Sequence, residues 1–304
     1  MNLKNILALA VTAAVALTSC GGHKNETPVQ EKKEIGLQLY SVRQLLEEGA
    51  PYADNLPALL DTLGKMGYTQ VEAASYNAEN GTFYGLAPEA YAKAAADAGI
   101  KALSSHTGRT LNADELKSGD LTDFYAWWDK AVADHKAAGM SYIVVPWMGV
   151  PESLADLQKQ CDALSKVGRR AAAQGVKIGY HNHSHEFTKV EDVPMLDYMI
   201  EHTDPEAVLF EMDVYWAIMA QASPVDYFKK YPGRFKLLHI KDRREIGQSG
   251  MVGFDAIFNN ADTAGMENYF VEIEEYTDGA EKGAAESAEY LIAAPFVKAS
   301  YSAE

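Results

Sequence analysis

Cysteine is nearly absent: the 304 residues contain two, Cys20 and Cys161. If Cys20 is modified, no intrachain disulfide can form. Paired-cysteine and His-Glu-x-x-His motifs are also missing, so nothing marks a structural zinc site. No Gly-x-Gly-x-x-Gly follows the first apolar run, which argues against an open dinucleotide-binding sheet. Positive charge is scarce too. Lys and Arg number 27 against 43 Asp and Glu, a formal net charge of −16. Nucleic acid is a poor partner for such a chain, because phosphates need a basic face that releases counterions. Small neutral or polar ligands, and cations, fit better.

The apolar stretch from Ile6 to Leu17 is too short to span a bilayer. It follows Lys4 and leads into Leu17-Thr18-Ser19-Cys20, then Gly21-Gly22. That pattern resembles a bacterial lipobox, which implies that residues 1–20 are a signal peptide and that Cys20 is lipidated. Residues 21–33 read as a polar tether. The expectation is a protein outside the cytoplasm, anchored by lipid to a bacterial membrane.

Hydrophobic residues make up 47% of the chain, ample for a full core in one large domain over residues 34–304. Eight apolar runs recur: 35–41, 68–74, 100–106, 141–147, 176–182, 207–213, 235–241 and 269–275. Their starts fall 28 to 41 residues apart, room for a strand, a helix and two loops. Helical patterns lie between them at 56–66, 87–98, 121–138, 154–173 and 256–264. Glycines 67, 99, 139, 175 and 265 stand where left-handed helix caps belong. The pattern predicts a single α/β domain, a (β/α)8 barrel, in preference to a doubly wound sheet. Cys161 is expected in the core, and 279–285 as a mobile loop before the last helix.

Three of the runs finish on residues that ligate metals: Asp213, His239 and Glu272. Burying such groups at strand ends is costly unless something uses them. In a parallel α/β protein the carboxyl ends of the strands carry the site. Side chains alternate along a strand, so Glu211 and Tyr215 are expected to share a face with Asp213, Lys241 with His239, and Glu274 with Glu272. The fifth run continues as Tyr180-His181-Asn182-His183-Ser184-His185-Glu186, where His181 and His183 share a face. The third run ends at His106, the second carries Glu72, and Trp147 stands at the end of the fourth. Glu72 reads either as a site residue or as a structural acid paired with a barrel Lys or Arg. His23, His135 and His202 are expected to be solvated. Mixed imidazole and carboxylate ligation suits one divalent ion among Mn, Co, Zn, Fe and Mg.

From Ile35 to about Ala294 the chain resembles the xylose isomerase-like TIM barrels, often labelled sugar phosphate isomerase/epimerase. The resemblance rests on Gly-Leu-Gln-Leu-Tyr-Ser-Val-Arg43, Tyr-His-Asn-His-Ser-His-Glu-Phe187, Glu-Met-Asp-Val-Tyr-Trp216, Leu-His-Ile-Lys-Asp242 and Phe-Val-Glu-Ile-Glu274. It implies a single divalent metal held by Asp213, His239, Glu272 and a fourth ligand. Relatives commonly have Glu where this chain has His181, so that ligand is His181 or Glu186. In the 3-epimerase branch two metal-bound glutamates are also the acid and base, so the substitution favours branches that act on keto-sugars or inososes by elimination or hydration. The implied chemistry is proton abstraction beside a metal-polarised carbonyl, through an enediolate. Glu272 or Glu186 is the expected base, with His183 or His106 as partner. Lys241 is expected either to stabilise the oxyanion or to pair with Glu272 or Glu274. His106, Trp147, Glu72, Tyr215 and Glu274 are expected substrate contacts, and the substrate a non-phosphorylated sugar or keto-sugar. The alternative is a lipid-anchored carbohydrate-binding protein without turnover.

Overall fold

Eight short parallel strands close on themselves in the computed structural model, which describes residues 32–302. They are β1 Gly36–Gln38, β2 Gln70–Ala73, β3 Lys101–His106, β4 Tyr142–Val145, β5 Lys177–His181, β6 Val208–Asp213, β7 Phe235–Lys241 and β8 Asn268–Glu272. Each pairs with its sequence neighbours, and β8 pairs with β1 to complete the barrel. Helices between the strands cover the outside, as the alternating pattern predicts. The expected lipidation site Cys20 and the leader lie outside the described residues.

Two apolar layers position the site. The larger packs the outer strand faces against helices such as Leu56–Met66 and Leu154–Ala172. A second cluster, Leu103, Tyr142, Val144, Leu209, Leu237 and Phe270, is separate from it. By alternation these residues fill the barrel interior and floor the mouth. Leu209 leads to Glu211 and Asp213, Leu237 to His239 and Lys241, and Phe270 to Glu272. Gly36 allows β1 to approach closely, since a Cβ there would lie 2.5 Å from the Phe270 ring and the Tyr269 carbonyl. Gly67, at φ 108°, ends the helix Leu56–Met66 in the left-handed region. Cys161 is buried, as expected.

Several elements differ from the sequence reading. The first strand stops at Gln38, not at residue 41, because the Gln38 side chain accepts from the Tyr40 amide (2.9 Å) and starts the 3-10 helix Leu39–Leu45. The fourth ends at Val145, before Pro146, which has no amide proton for the ladder. Trp147 is therefore a loop residue. The eighth ends at Glu272, which leaves Glu274 beyond it. Tyr215 leaves its expected strand face because Asp213 Oδ1 caps the helix Val214–Met219 through the Trp216 amide (2.8 Å). Residues 279–285 are not a loop: the last helix begins at Ala280. The helix expected over 256–264 is split into Phe254–Asn259 and Ala261–Ala264.

His135 is not solvated. It lies wholly buried, with Nδ1 2.6 Å from the Ala131 carbonyl, and burial pushes its pKa down to about 4. His202 is on the surface, as expected.

Candidate metal centre

The inward side chains above the apolar floor form two tiers of acids and imidazoles, nearly all buried. The deeper tier joins strands from opposite sides of the barrel. Glu72 of β2 takes hydrogen bonds from Gln38 Nε2 (2.8 Å) and Ser104 Oγ (2.5 Å), and its Oε1 lies 2.8 Å from His239 Nε2 and 3.1 Å from His106 Nε2. Glu211 Oε2 of β6 lies 2.7 Å from His106 Nε2 and 3.2 Å from both His181 Nδ1 and His239 Nε2. The expected Lys or Arg partner of Glu72 is replaced by histidines. These spacings are those of hydrogen bonds.

The upper tier is built differently. His181, Asp213, His239 and Glu272, from four adjacent strands, each offer a ligand atom within 4.8 Å of the others. Asp213 Oδ2 and His239 Nδ1 are buried and have no hydrogen-bond partner. His239 Nδ1 stands 3.4 Å from Glu272 Oε2, roughly the edge between two ligands each about 2.1 Å from one cation. The deeper tier explains that orientation. With Nε2 committed to Glu72, His239 presents Nδ1 to the mouth, the carboxylate–histidine arrangement that supports metal ligation. His181, similarly, turns Nδ1 toward Glu211. Of the two clusters, the upper one fits a resident divalent cation better: Asp213 Oδ2 and His239 Nδ1 are both unpartnered there, whereas in the deeper tier only Glu211 Oε1 is, and the other atoms are spent on hydrogen bonds.

The electrostatics agree. Burial pushes Asp213 up to about 7, although Lys241 opposes it. Burial would raise Glu272 as well, but Lys241 and His239 outweigh it and hold Glu272 well below the usual carboxylate range. Burial would deprotonate His239, yet Glu211 and Glu272 hold it well above its ordinary value. Burial and the neighbouring imidazoles keep His181 neutral. Carboxylates crowd this space, and protons balance them; a divalent cation supplies the same balance.

The remaining candidates are placed as follows. Lys241 Nζ lies 3.4 Å from both Glu272 and Glu274, buried and without a well-formed hydrogen bond. A cavity of about 280 Å³ opens above the ligands, with His106, His181, His183, Glu272, Glu274 and Tyr40 among its lining. His183 stacks edge-on against His181 at 4.9 Å. Glu186 does not reach the cluster. It is wholly buried, its Oε1 accepting from Tyr180 Oη (2.7 Å) and its Oε2 from the His183 amide (2.7 Å), so it braces the His183 turn. Of the two, only His181 has a ligand atom within reach of Asp213, His239 and Glu272. Tyr215 packs beside Trp216 (5.3 Å) away from the lining, and Trp147 stands on the rim, 60% exposed. Glu211 was legible only as a face-mate of Asp213 two positions on, and Tyr40 carried no signal of its own beyond following a strand.

Glu211→Gln keeps the shape but removes the charge facing three imidazoles. Metal affinity should fall about 10- to 100-fold in equilibrium dialysis, as for other outer partners of metal ligands. An unchanged affinity would show that the deeper tier does not orient the upper one.

A closed parallel barrel with convergent acids and imidazoles at its carboxyl rim defines a (β/α)8 protein with a polar mouth. Residues 60–294 match the family described as xylose isomerase-like TIM barrel, and the chain belongs to that family. A sugar phosphate isomerase/epimerase from Parabacteroides distasonis has a similar structure, with a TM-score of 0.81 and 35% identity over 90% of this chain and 100% of that one. An inosose dehydratase from Bacillus cereus is 26% identical over 136 residues, 37% of this chain. The match spans only 45% of that relative's length. An IolI protein solved with a zinc atom shares the fold, with a TM-score of 0.62 and 16% identity over 85% of this chain and 97% of that one.

Proposed function

We propose that the chain is a divalent-metal-dependent carbohydrate enzyme that moves a proton at the carbon beside a sugar carbonyl, leading to isomerisation, epimerisation or elimination and hydration. One observation carries this reading: Asp213 Oδ2 and His239 Nδ1 are buried, unpartnered and grouped with Glu272 and His181 beneath an open cavity. These four would hold a divalent cation, which when bound would supply polarisation of a substrate carbonyl and a counter-charge for its oxygen. The protein's own groups do the rest. Glu272, held ionised, is the proton acceptor. Lys241, whose positive charge is maintained by Glu272 and Asp213 against burial, stands 3.4 Å from Glu272 and Glu274 behind the lining and steadies negative charge through them. His183, kept neutral by burial, lines the cavity and is able to pass a proton on.

Among the described residues no Lys or Arg lines the cavity, and Lys241 behind it is already engaged by Glu272 and Glu274, which supports a free sugar or keto-sugar over a phosphorylated one. His181 in place of a carboxylate supports elimination or hydration over a symmetrical two-glutamate epimerisation. Glu186, with both oxygens bonded, is a positioning residue in this scheme and not the base.

The test is elemental analysis of the metal-reconstituted protein, followed by NMR in D2O with a panel of aldoses, ketoses and 3-keto-glycosides. About one metal per chain and solvent deuterium entering one substrate beside its carbonyl are expected. Metal without exchange into any member would point instead to a binding protein, and no stoichiometric metal would end the proposal.

A further inference from the structure

Four large apolar side chains are exposed among the described residues: Tyr40 (43%), Trp147 (60%), Val150 (43%) and Met251 (50%). All four lie on connections that leave the carboxyl ends of strands. Tyr40 follows β1, Trp147 and Val150 follow β4, and Met251 lies between β7 and the helix Phe254–Asn259. The helical layer and the opposite end of the barrel expose none. Single exposed apolar side chains are ordinary on a surface, but all four here fall at the end of the barrel where such folds bind ligands.

The rim continues the cavity. Tyr40 lines it, and so does Pro146, the residue before Trp147. Both aromatic rings have fixed neighbours. The Arg43 guanidinium stacks 4.0 Å from the centre of the Tyr40 ring, and Arg43 is itself tied to the Tyr40 and Glu274 carbonyls. The His185 ring lies 5.7 Å from Trp147 and is held by the Met148 carbonyl at 2.9 Å. The cavity itself, about 280 Å³, is small, and five of its eight lining residues are imidazoles or carboxylates, His106, His181, His183, Glu272 and Glu274. A single sugar suits it, but a single sugar bound there leaves the rim uncovered.

Building on the proposed function, we infer that the substrate is a two-ring glycoside whose reacting ring carries a keto group. The sugar that reacts enters the polar cavity, and the second ring, a sugar or an aromatic aglycone, lies on the rim with an apolar face against Trp147. The physical reason is complementarity. The C–H face of a sugar ring, or the face of an aryl group, gains contact with a flat, pre-positioned indole at little cost in conformational freedom.

Isothermal titration of the metal-loaded protein with methyl and phenyl 3-keto-glucosides, each as both anomers, and with the 3-keto forms of cellobiose and maltose tests this. In at least one anomeric series the two-ring ligand should bind about tenfold more tightly than its methyl counterpart. Its binding should change the tryptophan fluorescence. The Trp147→Ala variant, which alters an exposed side chain, should reduce that ratio to near one, and Trp147→Phe should restore much of it. Metal-dependent binding with equal affinity for methyl and two-ring ligands, or a ratio untouched in Trp147→Ala, would overturn the rim subsite while leaving the proposed enzyme intact. If no carbohydrate binds at all, both readings fail.

Discussion

Asp213→Asn should abolish stoichiometric metal binding while leaving the barrel folded. Asparagine retains an oxygen where Asp213 Oδ1 caps the helix Val214–Met219, so the cap, worth about 1 kcal/mol, survives. What disappears is the charge on Oδ2, the buried oxygen with no partner. Loss of a direct ligand should weaken affinity by more than the roughly 100-fold ceiling for an outer partner. Circular dichroism and a melting curve of the metal-free variant should match the parent, because burial already disfavours the ionised carboxylate. The wild-type protein should show the corresponding pH effect. Burial pushes the Asp213 carboxyl up to about 7, so protons compete with the cation below that pH. His239, held protonated well above its ordinary value, must also release a proton on binding, so metal affinity should drop by at least tenfold per unit as pH falls from 7. Full metal content in the Asn variant after chelation and reconstitution would defeat the site.

The second large effect is expected from Glu272→Gln. Here shape is conserved, and the lost charge is that of the proton acceptor. At saturating metal, exchange of substrate deuterium should fall by roughly two to four orders of magnitude, the range for removing a general base. Lys241 retains Glu274 at 3.4 Å, so the buried ammonium is not left without a counter-charge. Undiminished exchange in this variant would move the base elsewhere, with His183 the first residue to examine. Both variants rest on the upper tier alone, while Glu211→Gln probes the tier beneath it.

Much of this was legible beforehand because the signals are local. Asp213, His239 and Glu272 each end an apolar run, and buried parallel strands produce such runs whatever their partners. The glycine-ended helices between them established the repeat. Local signals failed where a side chain redirected the backbone. Tyr215 was assigned a strand face that Asp213 ended by capping a helix, and 269–275 ran past Glu272 because Ile273 is as apolar as the strand. His135 looked like a surface histidine, but its helix buries that face. For the first ligand position the sequence favours His181, which ends the strand, but leaves Glu186, five residues on, as an alternative. Only the turn after β5, which bonds both Glu186 oxygens, separated them.

The sequence by itself determined the eight-unit barrel, the family and the identities of the groups at its mouth, since period and residue type are written along the chain. Closure of the barrel decided which atoms those groups present. It brings Glu72 to His239 across 167 positions of sequence and turns Nδ1, not Nε2, toward Asp213 and Glu272. No local pattern encodes that choice, because a ring nitrogen's role depends on the hydrogen bond made by the other nitrogen, and its partner comes from the far wall of the barrel.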